Sequence, residues 1–220
     1  MNLHAQKVTL QNLHRTLKIK YGSFKDELPE QKMAFKYLTG KEKVLEIGGN
    51  IGRNSLIIGS ILKAEKGEKD NFVSLECDQS IAKQLVENRN LNGLTFHVEC
   101  AALSKKKLIQ QGWNTVPSET VPLGWQSVPI INFEELSQKY NIVFDTLVLD
   151  CEGAFYYILQ DMPEVLQNIQ MIIMENDYTD ITHKVYVDSV LKKNHFTVDY
   201  VESGGWGPCR DIFFEVWKKN

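Results

Sequence analysis

The chain has 220 residues, a formal net charge of −3 and 43% hydrophobic residues. This length fits one domain that buries a sizeable core, and the slightly acidic balance argues against a basic surface that recruits nucleic acid. No apolar run reaches membrane-spanning length and the N-terminus lacks a signal-peptide apolar core, so we expect a cytoplasmic protein without a membrane partner.

The cysteine spacing and the first forty residues indicate how the chain is organised. The four cysteines form no C-x-x-C pair, which argues against a zinc module or a disulfide framework. Residues 1–40 are polar with scattered apolar positions, and they predict an N-terminal helical extension with a helix over Glu30–Leu38. No internal repeat or long linker follows, so residues 41–220 are expected to form the main domain.

The next segment joins a predicted strand, Lys43–Ile47, through a glycine-rich turn to the helix-like Asn54–Leu62. A first strand passes to a first helix in this way in nucleotide-type α/β domains. The glycines occur as G-G-x-x-G, not as the G-x-G-x-x-G of a pyrophosphate site, and Glu46 precedes them within the strand. A carboxylate and close backbone approach suit S-adenosylmethionine (SAM), which carries sulfonium and ammonium groups. A tight turn without a ligand is the alternative. The predicted SAM-binding residues are Glu46, Gly48, Gly49, Asn50 and Gly52.

A second predicted strand, Phe72–Glu76, also ends in an acid. An acidic residue at this position of such a sheet accepts hydrogen bonds from both ribose hydroxyls, so Glu76 and the adjacent Cys77 are assigned to the cofactor. Cys100 and Ala101 follow the third predicted strand, and we expect them to lie near the adenine edge.

The remaining elements alternate strands and helices and close with two strand-like runs. The predicted helices are Ser80–Asn88, a short helix capped by Asn132, and His183–Lys193, and the predicted strands are Leu94–Glu99, Phe144–Leu149, Met171–Met174, Phe196–Val201 and Ile212–Trp217. Gln110–Ser127 is predicted to be a long, turn-rich insertion. This order predicts an α/β protein with the Rossmann-like class I SAM-dependent methyltransferase fold, in which a mostly parallel seven-stranded sheet ends in a C-terminal antiparallel hairpin.

Acidic residues follow the fourth and fifth strands, at the edge where ligands of such sheets bind. Asp150 and Glu152 follow the fourth strand, where the acceptor and the methyl group are expected to meet, and Asn176 and Asp177 follow the fifth. Asp150 and Glu152 are therefore the predicted catalytic residues, and Asp150 is also assigned to the cofactor. Helix capping by Asp150 and a solvated loop position for Glu152 are the alternatives.

The segments Glu46–Gly52 and Leu149–Ala154 resemble the two motifs of FkbM-type SAM-dependent methyltransferases, a D-x-G-A-N-x-G-like turn and D-x-E-G-x-E. The resemblance covers roughly residues 40–217. Glu46 replaces the commoner aspartate, and Phe155 stands where a second glutamate is usual, which removes one family carboxylate. The resemblance implies methylation of a hydroxyl on a sugar or natural product.

A further resemblance, to sugar O-methyltransferases of antibiotic pathways, concerns a metal. Those enzymes hold Mg²⁺ with an acid after strand 4 and an Asx-Asp-Tyr after strand 5, and Asp150 with Asn176-Asp177-Tyr178 is similar. Oxygen ligands without His or Cys fit Mg²⁺ or Ca²⁺ rather than zinc. The resemblance implies that a cation held by Asp150, Asn176 and Asp177 acidifies the acceptor hydroxyl, and that Glu152 takes its proton.

Three loop tryptophans, Trp113, Trp125 and Trp206, favour a small-molecule or glycan acceptor, because aromatic faces pack against the C–H faces of sugars. Small hydrophobic cores beneath the loops are the alternative for these side chains. For the whole chain, the alternatives are a methyltransferase with an amine or carboxyl acceptor and a catalytically silent SAM-fold module. An enzyme that methylates nucleic-acid bases is disfavoured, since no N-P-P-Y-like motif follows strand 4.

Overall fold

A computed structural model describes residues 9–220, so the first eight residues of the predicted N-terminal extension lie outside the described part. The helices are α1 (Leu10–Thr16), α2 (Leu28–Tyr37), α3 (Arg53–Glu65), α4 (Gln79–Leu91), α5 (Phe133–Tyr140), α6 (Phe155–Asp161) and α7 (Ile181–Lys193). The strands are β1 (Val44–Ile47), β2 (Phe72–Leu75), β3 (His97–Glu99), β4 (Ala102–Leu103), β5 (Leu108–Gln111), β6 (Asn114–Pro117), β7 (Gln126–Val128), β8 (Ile130–Ile131), β9 (Thr146–Leu149), β10 (Met171–Glu175), β11 (Phe196–Glu202) and β12 (Phe214–Lys219).

The central sheet has seven strands in the order β11-β12-β10-β9-β1-β2-β3. β10, β9, β1, β2 and β3 run parallel to one another, whereas β12 runs antiparallel to both β10 and β11. The predicted α/β class, the seven-stranded sheet and its C-terminal antiparallel hairpin are therefore confirmed. The boundaries of the strands differ from the predicted ones by up to about three residues, as expected for element ends.

Helices cover both faces of the sheet, which explains the continuous apolar runs of its central strands. All four residues of β1, of β2 and of β9 are buried, as is typical of parallel sheets. Successive side chains of a strand point to opposite faces: in β1, Leu45 packs into a cluster with α6 and α7, whereas Val44 packs into a second cluster with α2 and α3.

Side-chain caps define the starts of four helices, and Thr9 provides the cap of α1. Asp78 accepts from the backbone N–H groups of Ser80 (2.8 Å) and Ile81 (3.0 Å) at the start of α4. Asp180 caps α7 in the same way, and the predicted cap Asn132 forms a full capping box with Glu135 at α5. Each cap of this kind stabilises its helix by about 1 kcal/mol.

The insertion Gln110–Ser127 is not the turn-rich loop that the sequence predicts. β5, β6 and β7 form a three-stranded antiparallel sheet, and β4 pairs with β8 in a second small sheet beside it. Because Gln111 pairs with Asn114, only Gly112 and Trp113 make the turn between β5 and β6. Gly112 has a φ of 58°, which suits the first position of a tight hairpin turn. This two-residue glycine turn is the signal that reveals the hairpin.

None of the helices within residues 9–220 combines the length and apolarity needed to cross a membrane.

Candidate functional site

A cavity of about 210 Å³ lies at the carboxyl ends of β1, β2 and β9. The ends of these strands form its floor, and the small β5–β6–β7 sheet and α6 form its walls. In open α/β sheets, ligands bind at this edge. The residues that line the cavity include Gly48, Asn50, Glu76, Cys77, Ala101, Gln110, Trp113, Asp150, Glu152 and Tyr157.

The glycine-rich turn after β1 holds the backbone in conformations that glycine adopts easily. Gly48 and Gly52 have φ values of 91° and 94°, in the left-handed region. A Cβ at Gly48 would overlap the backbone carbonyl of Asp150, so glycine allows the ends of β1 and β9 to approach closely. Of the predicted turn residues, Gly48 and Asn50 line the cavity, whereas Gly49 and Gly52 pack against Leu85 of α4.

Glu46, which the sequence predicts to contact the cofactor, lies beneath the turn and is not among the residues that line the cavity. It is 2% exposed, and its carboxylate accepts hydrogen bonds from Ser74 Oγ of β2 (2.5 Å) and from Ser55 Oγ of α3. Burial raises the pKa of Glu46 to about 7, since the charged form is poorly solvated there. Glu46 therefore ties β1, β2 and α3 together under the turn.

Glu76 lines the cavity with a carboxylate that two backbone groups already fix in place. The N–H of Asn50 donates to its Oε2 (2.9 Å) and the N–H of Asp78 donates to its Oε1 (2.8 Å). A carboxylate oxygen can accept a second hydrogen bond, so Glu76 can still accept from hydroxyl groups in the cavity. Burial is the main cause that raises its pKa.

Only some of the residues predicted to lie near the adenine edge line the cavity. Cys77 and Ala101 line the cavity, whereas Cys100, which is partly buried, is not among the lining residues. Burial raises the pKa of Cys77 to about 11, so this side chain is a neutral thiol near pH 7.

Asp150 and Glu152 stand at the cavity wall on the turn after β9. Asp150 is partly buried, and its pKa lies well above the usual range because of burial and the carboxylates of Glu27 and Glu30 nearby. Glu152 is exposed at the cavity rim and has a φ of 51°, a left-handed conformation that is strained for a residue with a side chain. Gly153 N–H donates to Asp177 Oδ1 (2.7 Å) and so fixes this turn.

The predicted metal ligands after β10, Asn176 and Asp177, each use part of their side chain for hydrogen bonds within the fold. Asn176 Nδ2 donates to the Ile212 carbonyl (2.6 Å) and to Glu215 Oε2 (3.0 Å), so its amide holds the antiparallel hairpin. Asn176 Oδ1 and Asp177 Oδ2 are buried without a hydrogen-bond partner among residues 9–220, but neither residue lines the cavity. The carboxylates of Glu30 and Glu175 also gather around Asp150, and neither residue is predicted as a metal ligand from the sequence.

Aromatic and amide side chains line the wall of the cavity opposite the strand ends. Trp113 and Tyr157 are 59% and 47% exposed, and both line the cavity. Gln110 is buried, and its Oε1 has no hydrogen-bond partner among the described residues. Trp125 and Trp206, also predicted to face an acceptor, are not among the lining residues of this cavity.

Several solved structures with a similar fold are methyltransferases. An O-methyltransferase from Bacillus cereus in complex with SAH superposes with a TM-score of 0.54 at 14% identity and covers 99% of this chain and 93% of that chain. A ribosomal protein L11 methylase from Lactobacillus delbrueckii subsp. bulgaricus gives a TM-score of 0.54 at 11% identity. The match covers 92% of this chain and 82% of the methylase chain. A tRNA (m1A22) methyltransferase candidate from Streptococcus pneumoniae, in complex with S-adenosyl-L-methionine, gives a TM-score of 0.53 at 10% identity. The match covers 87% of this chain and 72% of that chain.

No protein-family model matches the sequence. No curated protein matches it either. At these identities the structural likeness establishes the fold: the chain has the Rossmann-like methyltransferase fold that the sequence predicts.

Proposed function

We propose that the chain is a SAM-dependent O-methyltransferase that methylates a hydroxyl of a sugar or glycan. The observation that carries the proposal is the cavity at the carboxyl ends of β1, β2 and β9, which is lined by the glycine turn and by Glu76 together. The fold and the bound SAM or SAH of two structural neighbours support the cofactor. The FkbM-like motifs at Glu46–Gly52 and Leu149–Ala154 support a hydroxyl acceptor.

The residues of the cavity fit SAM. Gly48 and Asn50 would hold its methionine part, since the backbone approaches the cavity closely there. Glu76 would accept hydrogen bonds from the ribose hydroxyls, because each of its oxygens keeps accepting capacity beside the backbone N–H that it already binds. Cys77 and Ala101 would lie against the adenine. Glu46 supports the turn from below.

The chain itself supplies positioning and proton transfer. SAM, when bound, provides an electrophilic methyl group on its sulfonium. Glu152, at the cavity rim, would accept the proton of the acceptor hydroxyl, and its turn is fixed by the bond from Gly153 N–H to Asp177. Asp150 would position the acceptor beside it. Holding the hydroxyl in line with the methyl group supplies most of the rate increase in such a reaction.

The cavity wall fits a polar acceptor with flat apolar faces. Trp113 and Tyr157 offer ring faces that remain partly exposed in the cavity. Gln110 Oε1 is a buried acceptor without a partner in the described chain, so a hydroxyl or amine of a ligand would satisfy it. Sugars carry both kinds of surface, which supports a sugar or glycan over a purely apolar acceptor.

Turnover of SAM in the presence of sugars tests the proposal. We expect the wild-type chain to release S-adenosylhomocysteine and to add about 14 Da to an acceptor sugar, as read by mass spectrometry. Glu152→Gln should lower the rate by about 10²–10⁴-fold, the usual contribution of general acid–base catalysis, with little change in SAM affinity. Glu134→Gln, an exposed carboxylate on α5, is the matched control.

Two results would contradict the assignment. Equal turnover in the wild type and in Glu152→Gln would show that Glu152 is not the general base. SAM binding without methylation of any sugar would move the acceptor to another class, of which small amines and carboxyl compounds are the next to screen.

A further inference from the structure

Three carboxylates from distant parts of the chain meet at a second, much smaller cavity. Glu30 lies on α2, Asp150 follows β9 and Glu175 ends β10, and their candidate ligand oxygens all lie within 4.8 Å of one another. The cavity has a volume of about 10 Å³ and is lined by all three residues. A volume of this size holds about one water-sized particle.

An amide oxygen without a partner lines the same cavity. Asn54, in the first turn of α3, is 8% exposed and is one of the lining residues. Its Oδ1 is buried and accepts no hydrogen bond from any residue of the described chain, and the same is true of Glu30 Oε2. Leaving such an oxygen unsatisfied is unfavourable, so a group that binds there would stabilise the folded chain.

The charges around the cluster do not cancel. Burial raises the pKa of both Asp150 and Glu175, and neighbouring carboxylates raise it further. Arg53 lies next to Asn54 in the chain but is paired with Glu27 (2.5 Å) and faces Asp26 (3.7 Å). Carboxylates packed this closely ionise together only when a cation lies between them; otherwise they share protons.

We propose that Glu30, Asp150, Glu175 and Asn54 form a site for one divalent cation that prefers oxygen ligands, Mg²⁺ or Ca²⁺. Such ions bind oxygens at about 2.0–2.6 Å, so ligand atoms on one ion lie up to about 5 Å apart, in agreement with the cluster. The set contains carboxylate and amide oxygens only, without His or Cys. It differs from the ligand set Asp150, Asn176 and Asp177 that the sequence predicts.

This site would join α2 to the sheet beside the main cavity. Asp150 lines both cavities. A cation bound to its carboxylate in the small cavity would therefore also fix this part of the wall of the main cavity. The site is defined by the side chains of the chain alone, and it does not depend on the proposed methyl transfer.

Calorimetric titration of the EDTA-treated chain with CaCl₂ and with MgCl₂, in the absence of SAM, tests the site. We expect one ion per chain and a thermal-unfolding midpoint that rises with added metal. Glu30→Gln and Glu175→Gln should each weaken binding by about tenfold or more, because each removes one ligand charge. Both variants should fold, since each lowers the repulsion among the carboxylates. Preference for one of the two salts identifies the ion.

Two control variants make the result specific. Glu134→Gln, on the exposed face of α5, and Asp177→Asn, from the sequence-predicted ligand set, should bind metal as the wild type does. Absence of binding to the wild type would overturn the proposal and leave shared protons as the occupant of the cluster. Loss of binding in Asp177→Asn with normal binding in Glu30→Gln would overturn it in favour of the other ligand set. A failed metal titration beside normal SAM binding would leave the proposed function intact.

Discussion

At the residue scale, the position of Glu46 in the sequence motif and its surroundings in the fold point to different roles. Its position before the glycine turn suggests ligand contact, but its carboxylate accepts from Ser55 and Ser74 and is buried. The side chain is enclosed by β2 and α3, so its first effect is on the free energy of unfolding. That effect depends on pH because burial raises its pKa to about 7.

Glu46→Gln should remove a pH dependence of stability. The folded carboxyl keeps its proton up to about pH 7, whereas the unfolded one releases it near pH 4.5. The unfolded state therefore binds fewer protons in this window, and wild-type stability falls as pH rises through it, by up to about 3 kcal/mol. Urea unfolding at pH 4.5 and pH 8 measures the change in each protein. An identical change in wild type and Glu46→Gln would show that Glu46 is ionised in the folded chain.

The sequence predicts which residues end the strands, but not which residues meet there. Glu76, Asp150 and Glu152 follow from the apolar runs before them, since the ends of parallel strands share one edge. Glu30 cannot be found in this way, because it comes from a helix far upstream of the strands it meets. The partners of Glu46 were missed for the same reason: Ser55 and Ser74 become its neighbours only through the packing of α3 and the pairing of β2 with β1.

At the scale of elements, the β5–β6 hairpin decides what lies opposite the strand ends. Its alternation is weak and half of its strand residues are polar, so composition alone does not predict strands. The Gly112-Trp113 turn is the single local sign of pairing. The long sequence segment between β3 and β9 is thereby folded into a wall of the cavity. Trp113, at the tip of the hairpin, is placed where an acceptor would touch it.

Trp113→Ala should weaken acceptor binding and spare SAM binding. An aromatic face in contact with a ligand contributes about 1 kcal/mol, so we expect KM for the sugar to rise about fivefold while the Kd for SAM stays unchanged. Trp206→Ala is the matched control, since Trp206 is 50% exposed against 59% for Trp113 but does not line the cavity. Equal effects of the two substitutions on KM would mean that the hairpin is not part of the acceptor site.

At the scale of the whole molecule, the strand order places β1 inside the sheet, between β2 and β9. The turn after β1 therefore has Glu76 on one side and Asp150 on the other, and both line one cavity. Apolar runs and alternating helices predict this arrangement because it depends on the order of elements more than on individual contacts. The contribution of α2, which brings Glu30 to the other side of Asp150, depends on tertiary packing and has no such signal.

Calorimetric titration with SAM tests the central claim most directly. We expect one binding site in the wild type and in Glu134→Ala, and a Kd at least about tenfold higher in Glu76→Ala, because two ribose hydroxyls lose their shared acceptor at a cost of about 1–3 kcal/mol. Circular dichroism of each variant confirms that it is folded. Absence of SAM binding to the wild type, or equal affinity in Glu76→Ala, would contradict the assignment of this cavity to the cofactor.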